Sequence, residues 1–201
     1  WTISYPPGHQ PGDRIPLVLA LHGYTGTHAY PIGPVAPAQL LASTLDGKPL
    51  PPMAIAAVDG GNGYWHAHPG DDPMRMLLDE FLPMCRNRGL GVGTARKIGL
   101  TGESMGGYGA WDLASRRPAT FAALAPLCGG GDEAQAGKFK SLPIWAVHGE
   151  KDAAVPAVRS RRMIEAVRQA GGEPKYTELP GVGHNCWSQA YAPEFGLLDW
   201  M

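Results

Sequence analysis

The sequence predicts an α/β protein, a mostly parallel central sheet with helices on both faces. Three observations lead there. Six short apolar runs alternate with stretches of helical periodicity, the pattern of a parallel sheet made from strand–helix–strand units. The runs show little strict alternation of apolar and polar residues, as expected of strands covered on both faces. Polar and glycine-rich clusters follow the runs, and in such sheets ligands bind beyond the carboxyl ends of the strands.

The strand-length runs come in order. "PLVLALHG" (16–23) ends in a glycine turn, and "MAIAAVDGG" (53–61) repeats that form. "RKIGLTGES" (96–104), "FAALAPLCGGG" (121–131) and "PIWAVHGEKD" (143–152) follow. "PKYTELPGVGH" (174–184) is more polar and reads as a strand nearer an edge. Between them, residues 74–88 carry Met74, Leu77, Leu78, Phe81 and Leu82 at helical spacing, with Pro83 expected to bend or end a turn. Residues 105–115 form a helix candidate that Pro118 closes. Residues 157–170 put Val158, Met163, Ile164 and Val167 on one side and Arg159, Arg161, Arg162 and Arg168 mostly on a solvated other side, with Gly171 as the stop. Residues 194–201 read as a terminal helix. The only candidate for a lid is the short stretch 129–143.

The whole chain, 1–201, fits one domain with a sizeable core. Seventeen basic and 18 acidic side chains leave a formal charge of −1, so no basic face points to nucleic acid. No apolar run approaches the length of a membrane helix. The chain starts at Trp1 instead of Met, which leans towards a secreted or extracytoplasmic protein. Cys85, Cys128 and Cys186 match no zinc spacing. They read as separate buried thiols, with one disulfide plus one free thiol as the alternative.

Gly102-x-Ser104-x-Gly106 follows one predicted strand and opens a predicted helix. That is the setting of a nucleophile elbow, where a sharp turn lifts a serine hydroxyl over the sheet edge and the flanking positions must be small. One such motif in a glycine-rich chain is weak; partners make it specific. A serine nucleophile needs a base, and the base needs an acid to hold its tautomer. Asp152 lies just past the fifth run and His184 past the sixth, in the chain order serine, acid, histidine that this topology imposes. Asp199 and Glu103 are rival acids, although Glu103 adjoins Ser104 and should point elsewhere. The loop after the first run offers the backbone N–H of Tyr24, and Met105 offers that of the residue after the serine, as donors to an oxyanion.

The set HGYTG, GESMGG, HGEKDAAVP and GVGHNCW resembles the α/β-hydrolase superfamily. Within it the chain is similar to the esterase D, feruloyl and acetylxylan esterase and polyhydroxybutyrate depolymerase-like group, and "DGGNGYW" resembles the matching loop of the esterase D and mycolyltransferase branch. The resemblance runs from about Tyr5 onward. It implies a serine esterase in which Ser104 is the nucleophile, Asp152 the acid, His184 the base, and Tyr24 and Met105 the oxyanion donors. The implied substrates are short-chain or small aromatic acyl esters, cleaved through an acyl-enzyme without a cofactor. Those families begin with a further strand hairpin, of which "WTISYPPG" resembles only the last part. Dienelactone hydrolases carry cysteine at the nucleophile position, so serine here disfavours their chemistry. An acyltransferase of the mycolyltransferase-like branch, or a non-catalytic binding domain on the same fold, are the alternatives.

Other residues are weighed against plainer roles. Trp65 and Trp187 flank the site loops and are expected to line a substrate pocket, with packing in the core as the other reading. His22 is expected to organise its loop by hydrogen bonds. His66 and His68, with Asp71 and Asp72, crowd into one loop without helical i, i+4 spacing, so no metal site is expected there.

Overall fold

The computed structural model describes residues 1–30, 44–45, 47–93 and 98–201. Strands follow in chain order as β1 (Thr2–Ser4), β2 (Leu17–Leu21), a small ribbon of β3 (Thr44–Leu45) and β4 (Lys48–Pro49), β5 (Ala54–Ala57), β6 (Ile98–Glu103), β7 (Ala123–Leu127), β8 (Trp145–Gly149) and β9 (Lys175–Leu179). All six apolar runs become strands; residues 96–97 of the third lie outside the described residues. The main sheet has the order β1-β5-β2-β6-β7-β8-β9. Only β1 is antiparallel to its neighbour, pairing Ile3 with Ala56, while the rest run parallel. This is the α/β-hydrolase fold in its mostly parallel form. The polar sixth run, β9, is an edge strand, and its residues are exposed or half-buried except Leu179.

The order explains where a site can form. From β2 the chain goes to β5 on one side, then crosses back to β6 on the other side of β2. A crevice opens at such a reversal, beyond the carboxyl ends of the strands. Leu21 of β2 pairs with Gly102 of β6, so the loops starting at His22 and Ser104 leave the sheet side by side.

The helices depart from expectation in three informative places. The first runs as α1 (Pro73–Met76), a π-helical turn (Leu77–Phe81) and α2 (Leu82–Asn87). Pro83 was expected to bend or end it. Instead the helix widens just ahead of the proline, and the Leu82 N–H reaches back to the Leu77 carbonyl. After α3 (Met105–Arg116) and a 3₁₀ turn (Glu133–Phe139) comes α4 (Val158–Gln169), whose Met163, Ile164 and Val167 are buried as expected. Val158 is not: it is 41% exposed, and Ser160 is fully buried in the same helix. The expected terminal helix is divided into α5 (Trp187–Ala190), a 3₁₀ turn (Pro193–Phe195) and α6 (Leu197–Trp200), with Gly196 at φ +75° separating the last two.

The lid candidate is part of the packed body. Phe139 is buried and meets the Trp111 ring edge-on at 5.1 Å, which fastens the 3₁₀ turn to α3. The cysteines follow the second of the two readings. Cys128, just past β7, is disulfide-bonded to Cys186, while Cys85 is free and buried. Burial pushes the Cys85 thiol up to about 11, so it is an inert apolar filler at neutral pH.

Candidate active site

Ser104 is the hinge between β6 and α3 and adopts φ +55°, ψ −115°. A non-glycine residue is held there only when its surroundings dictate it. Its N–H donates to the Leu127 carbonyl of β7 at 2.9 Å, which fixes the turn to the neighbouring strand. A Cβ on Gly106 would collide with the Leu21 carbonyl, and one on Gly102 would collide with the Gly106 carbonyl. Glycine is therefore required at both positions so that helix and strands can close around the serine.

The half-buried Ser104 Oγ lies 2.8 Å from His184 Nε2. His184 Nδ1 lies 2.7 Å from Asp152 Oδ2. The Asp152 side chain is fully buried. Its other oxygen, Oδ1, accepts the Ala154 N–H at 2.9 Å and the Val155 N–H at 2.8 Å, which holds the carboxylate in an Asx-type turn. Asp152 does not cap α4; that cap is Ala157. The rival acids are elsewhere. Asp199 borders a cavity with Leu17 and Gly99, at the amino-terminal ends of β2 and β6.

Glu103 points away from His184 and towards the loop after β2. Its Oε1 accepts the Gly23 N–H at 3.3 Å, and its Oε2 is buried without a partner among the described residues. Burial holds its carboxyl proton well above the ordinary 4.5. The folded chain thus keeps a proton that the unfolded chain loses. Stability from this group is full below the unfolded value and falls as pH rises towards the folded value, by about 1.4 kcal/mol per pH unit. Glu103→Gln is expected to remove that slope, so its melting temperature should gain on the parent's as pH rises above the ordinary carboxyl value. Parallel melting curves that keep a constant offset would mean that Glu103 is ionised in the folded chain.

The loop after β2 is built by His22. The Gly60 N–H donates to His22 Nε2 at 2.9 Å, which leaves Nδ1 to donate to the Gly23 carbonyl at 2.8 Å. Beyond it, the Thr25 N–H donates to Asn62 Oδ1 at 2.8 Å. The N–H groups of Tyr24 and Met105 make no hydrogen bond among the described residues. Tyr24, Tyr30, Ser104, His184 and Trp187 line a cleft of about 330 Å³. Trp187 meets the His184 ring edge-on at 5.3 Å.

Trp65 is not in that cleft, and its expected role as a substrate contact is corrected. It is fully buried under the His22 ring, and its Nε1 donates to the His22 carbonyl at 3.3 Å. Gly60 and Gly109 leave room for its indole, since a Cβ on either would strike it. It supports the loop from below. The loop histidines also have separate partners. His66 Nδ1 lies 3.4 Å from Asp112, and His68 lies 3.7 Å from Asp71, while Asp72 caps α1 by accepting the Arg75 N–H.

Two residues passed over by the sequence reading join this network. His148 of β8 is fully buried with Nε2 3.2 Å from Asp152 Oδ2, and Ser160 of α4 reaches its other nitrogen at 2.8 Å. The available signal was a histidine inside an apolar strand run, since a buried polar side chain demands partners.

The family model of the dienelactone hydrolase family matches residues 88–192, a stretch that holds the elbow, Asp152 and His184. The chain belongs to the dienelactone hydrolase family. It does so with Ser104 at the elbow, the position where the sequence reading expected cysteine for dienelactone chemistry. An "Uncharacterized secreted protein" of Arthroderma benhamiae is 23% identical over 209 residues, covering 85% of this chain and 21% of the relative. Among solved structures, a thermostable esterase superposes with a TM-score of 0.78 at 25% identity, over 98% of this chain and 57% of that one. The feruloyl esterase module of Clostridium thermocellum, complexed with sinapinate, gives a TM-score of 0.77 at 14% identity over 99% of this chain and 81% of that one. A ferulic acid esterase of Anaeromyces mucronatus gives 0.70 at 17% identity, over 98% and 82%. The last two share the fold. The chain spans about a fifth of the curated relative and just over half of the thermostable esterase. Among the described residues, no helix is long and apolar enough to cross a membrane.

Proposed function

We propose that this chain is a serine carboxylic-ester hydrolase. The observation that carries the reading is the continuous chain of contacts from Ser104 Oγ through His184 to the buried Asp152, with Ser104 strained at the elbow. Ser104 Oγ attacks the ester carbonyl while His184 Nε2 takes its proton and then gives it to the leaving alcohol. The N–H groups of Tyr24 and Met105 receive the oxyanion. Water, deprotonated by His184, then adds to the acyl-enzyme, and Ser104 leaves with its proton restored. The residues 1–201 act as one domain in this scheme. The disulfide and the secreted relative support an oxidising, extracytoplasmic setting.

Among the described residues, the apolar contacts of the cleft on the substrate side are Tyr24, Tyr30 and Trp187, with Tyr24 59% and Tyr30 48% exposed. Walls this open cover only a few methylenes, each worth ~0.8 kcal/mol when buried. Specificity is therefore expected to peak at short acyl chains, about two to six carbons, or at small aromatic acyl groups. A panel of p-nitrophenyl esters of rising chain length measures this. A steady rise in kcat/KM through long chains would defeat it. Added acceptor alcohols in the same assay separate hydrolysis from acyl transfer by the products formed.

A further inference from the structure

We infer that Asn62 and Glu103 are positioning residues that clamp the oxyanion loop on either side of Tyr24. The inference rests on the esterase reading above and deepens it. Three successive N–H groups follow His22 in the loop after β2, those of Gly23, Tyr24 and Thr25. The first donates to Glu103 Oε1 at 3.3 Å and the third to Asn62 Oδ1 at 2.8 Å. The middle one, of Tyr24, has no partner among the described residues. Two side chains thus take up the flanking donors. The donor left over is the one assigned to the oxyanion, on a residue that lines the same cleft as Ser104.

The turn needs this hold. The Gly26 N–H donates to the Gly23 carbonyl at 3.1 Å, which closes a turn with Tyr24 and Thr25 at its centre. Thr25 sits there at φ +62°, a left-handed conformation that a β-branched residue rarely adopts. Such a residue persists only where its surroundings hold it, and the bond to Asn62 supplies that. The Gly23 carbonyl also receives His22 Nδ1 at 2.8 Å. The peptide is planar and trans, so the Tyr24 N–H points the opposite way from that fixed carbonyl. With the peptides before and after it bound to Glu103 and Asn62, this one keeps a single orientation. Asn62 belongs to the "DGGNGYW" stretch after β5, which also accepts the His28 N–H on Asp59 at 2.6 Å and gives the Gly60 N–H to His22. The motif therefore frames the oxyanion loop at three points.

Asn62→Leu removes the acceptor and keeps the side-chain volume, while Asn62→Asp keeps an acceptor. Each preparation is titrated to completion with a fluorophosphonate, so that rates refer to folded, labelled sites. The quantity read is the ratio of kcat/KM for an ester to that for its thiono analogue, in which sulfur replaces the carbonyl oxygen. Sulfur is a weak hydrogen-bond acceptor, so the ratio reports how well the donors meet the oxyanion. Both intermediates carry one negative charge, so a charge added at the surface acts on the two alike. Asn62→Leu is expected to lower kcat on the oxygen ester by about tenfold, part of the roughly 10²–10³-fold that a whole oxyanion donor supplies, with KM little changed. The ratio should fall by about the same factor. Asn62→Asp should recover most of it. Glu103→Leu should lower the ratio as well, and Glu103→Gln, which keeps a carbonyl oxygen for the Gly23 N–H, should recover it. A wild-type ratio in Asn62→Leu would overturn the inference, as would a ratio in Asn62→Asp as low as in Asn62→Leu. Amide hydrogen exchange of the wild-type protein tests the clamp without any variant. Relative to their intrinsic rates, the Gly23 and Thr25 amides should exchange more slowly than that of Tyr24, and a Thr25 amide as fast as Tyr24 would overturn the clamp. A wild-type chain that takes no label and cleaves no ester would fail the esterase reading itself, and the exchange rates would still decide the clamp.

Discussion

Ser104→Ala is expected to lower kcat on any ester substrate on the order of 10⁶-fold and to abolish fluorophosphonate labelling. The elbow should survive, because alanine keeps the Cβ and the strained backbone is held by the Leu127 carbonyl and by the glycines around it. Circular dichroism and melting curves should accordingly resemble those of the parent. A residual rate above water would come from the oxyanion donors and substrate binding, since they act without the nucleophile. The decisive measurement is label stoichiometry on the folded variant. Full labelling of Ser104→Ala would move the nucleophile to another residue.

Asp152→Asn should be the next most severe change, lowering kcat by about 10⁴-fold. The asparagine carbonyl can still accept the Ala154 and Val155 N–H groups, so the loop keeps its anchor. Its amide nitrogen then faces His184 Nδ1 and donates where a carboxylate accepted. The ring turns to the tautomer with its hydrogen on Nε2, directed at the Ser104 hydroxyl, and cannot take that proton. Steady-state kinetics on Asp152→Asn and Asp199→Asn distinguish the two acids. A mild Asp152→Asn beside a crippled Asp199→Asn would reassign the acid.

The sheet was legible because doubly covered strands are continuous apolar runs, and "LVLAL" or "ALAPL" leaves no other economical reading. The convergence of Ser104, Asp152 and His184 was legible because chain order and strand ends constrain which loops can meet. Other features depend on contacts that no local pattern encodes. The π-helical turn before Pro83 is a response to one missing N–H, and its form depends on what packs around it. Trp65 follows "NGY" on a site loop, yet it faces inward because Gly109, distant in sequence, leaves a slot for it together with the nearby Gly60. Ser160 stands among arginines and reads as surface, but the helix turns it onto the buried His148. The pairing of Cys128 with Cys186 likewise required knowing that the end of β7 and the loop after β9 lie together.

That disulfide divides the candidate triad topologically. The bond spans 58 residues of chain, and the ring it closes contains β8, the Asp152 loop, α4, β9 and His184. Closing a ring of that size removes about 4 kcal/mol of chain entropy from the unfolded state in the simplest model. In the oxidised chain the acid and the base therefore belong to one covalent circle even when it is unfolded, whereas Ser104 lies outside it. Refolding of the oxidised chain then starts with acid and base held in the same closed ring, and only the elbow has to be found from outside it.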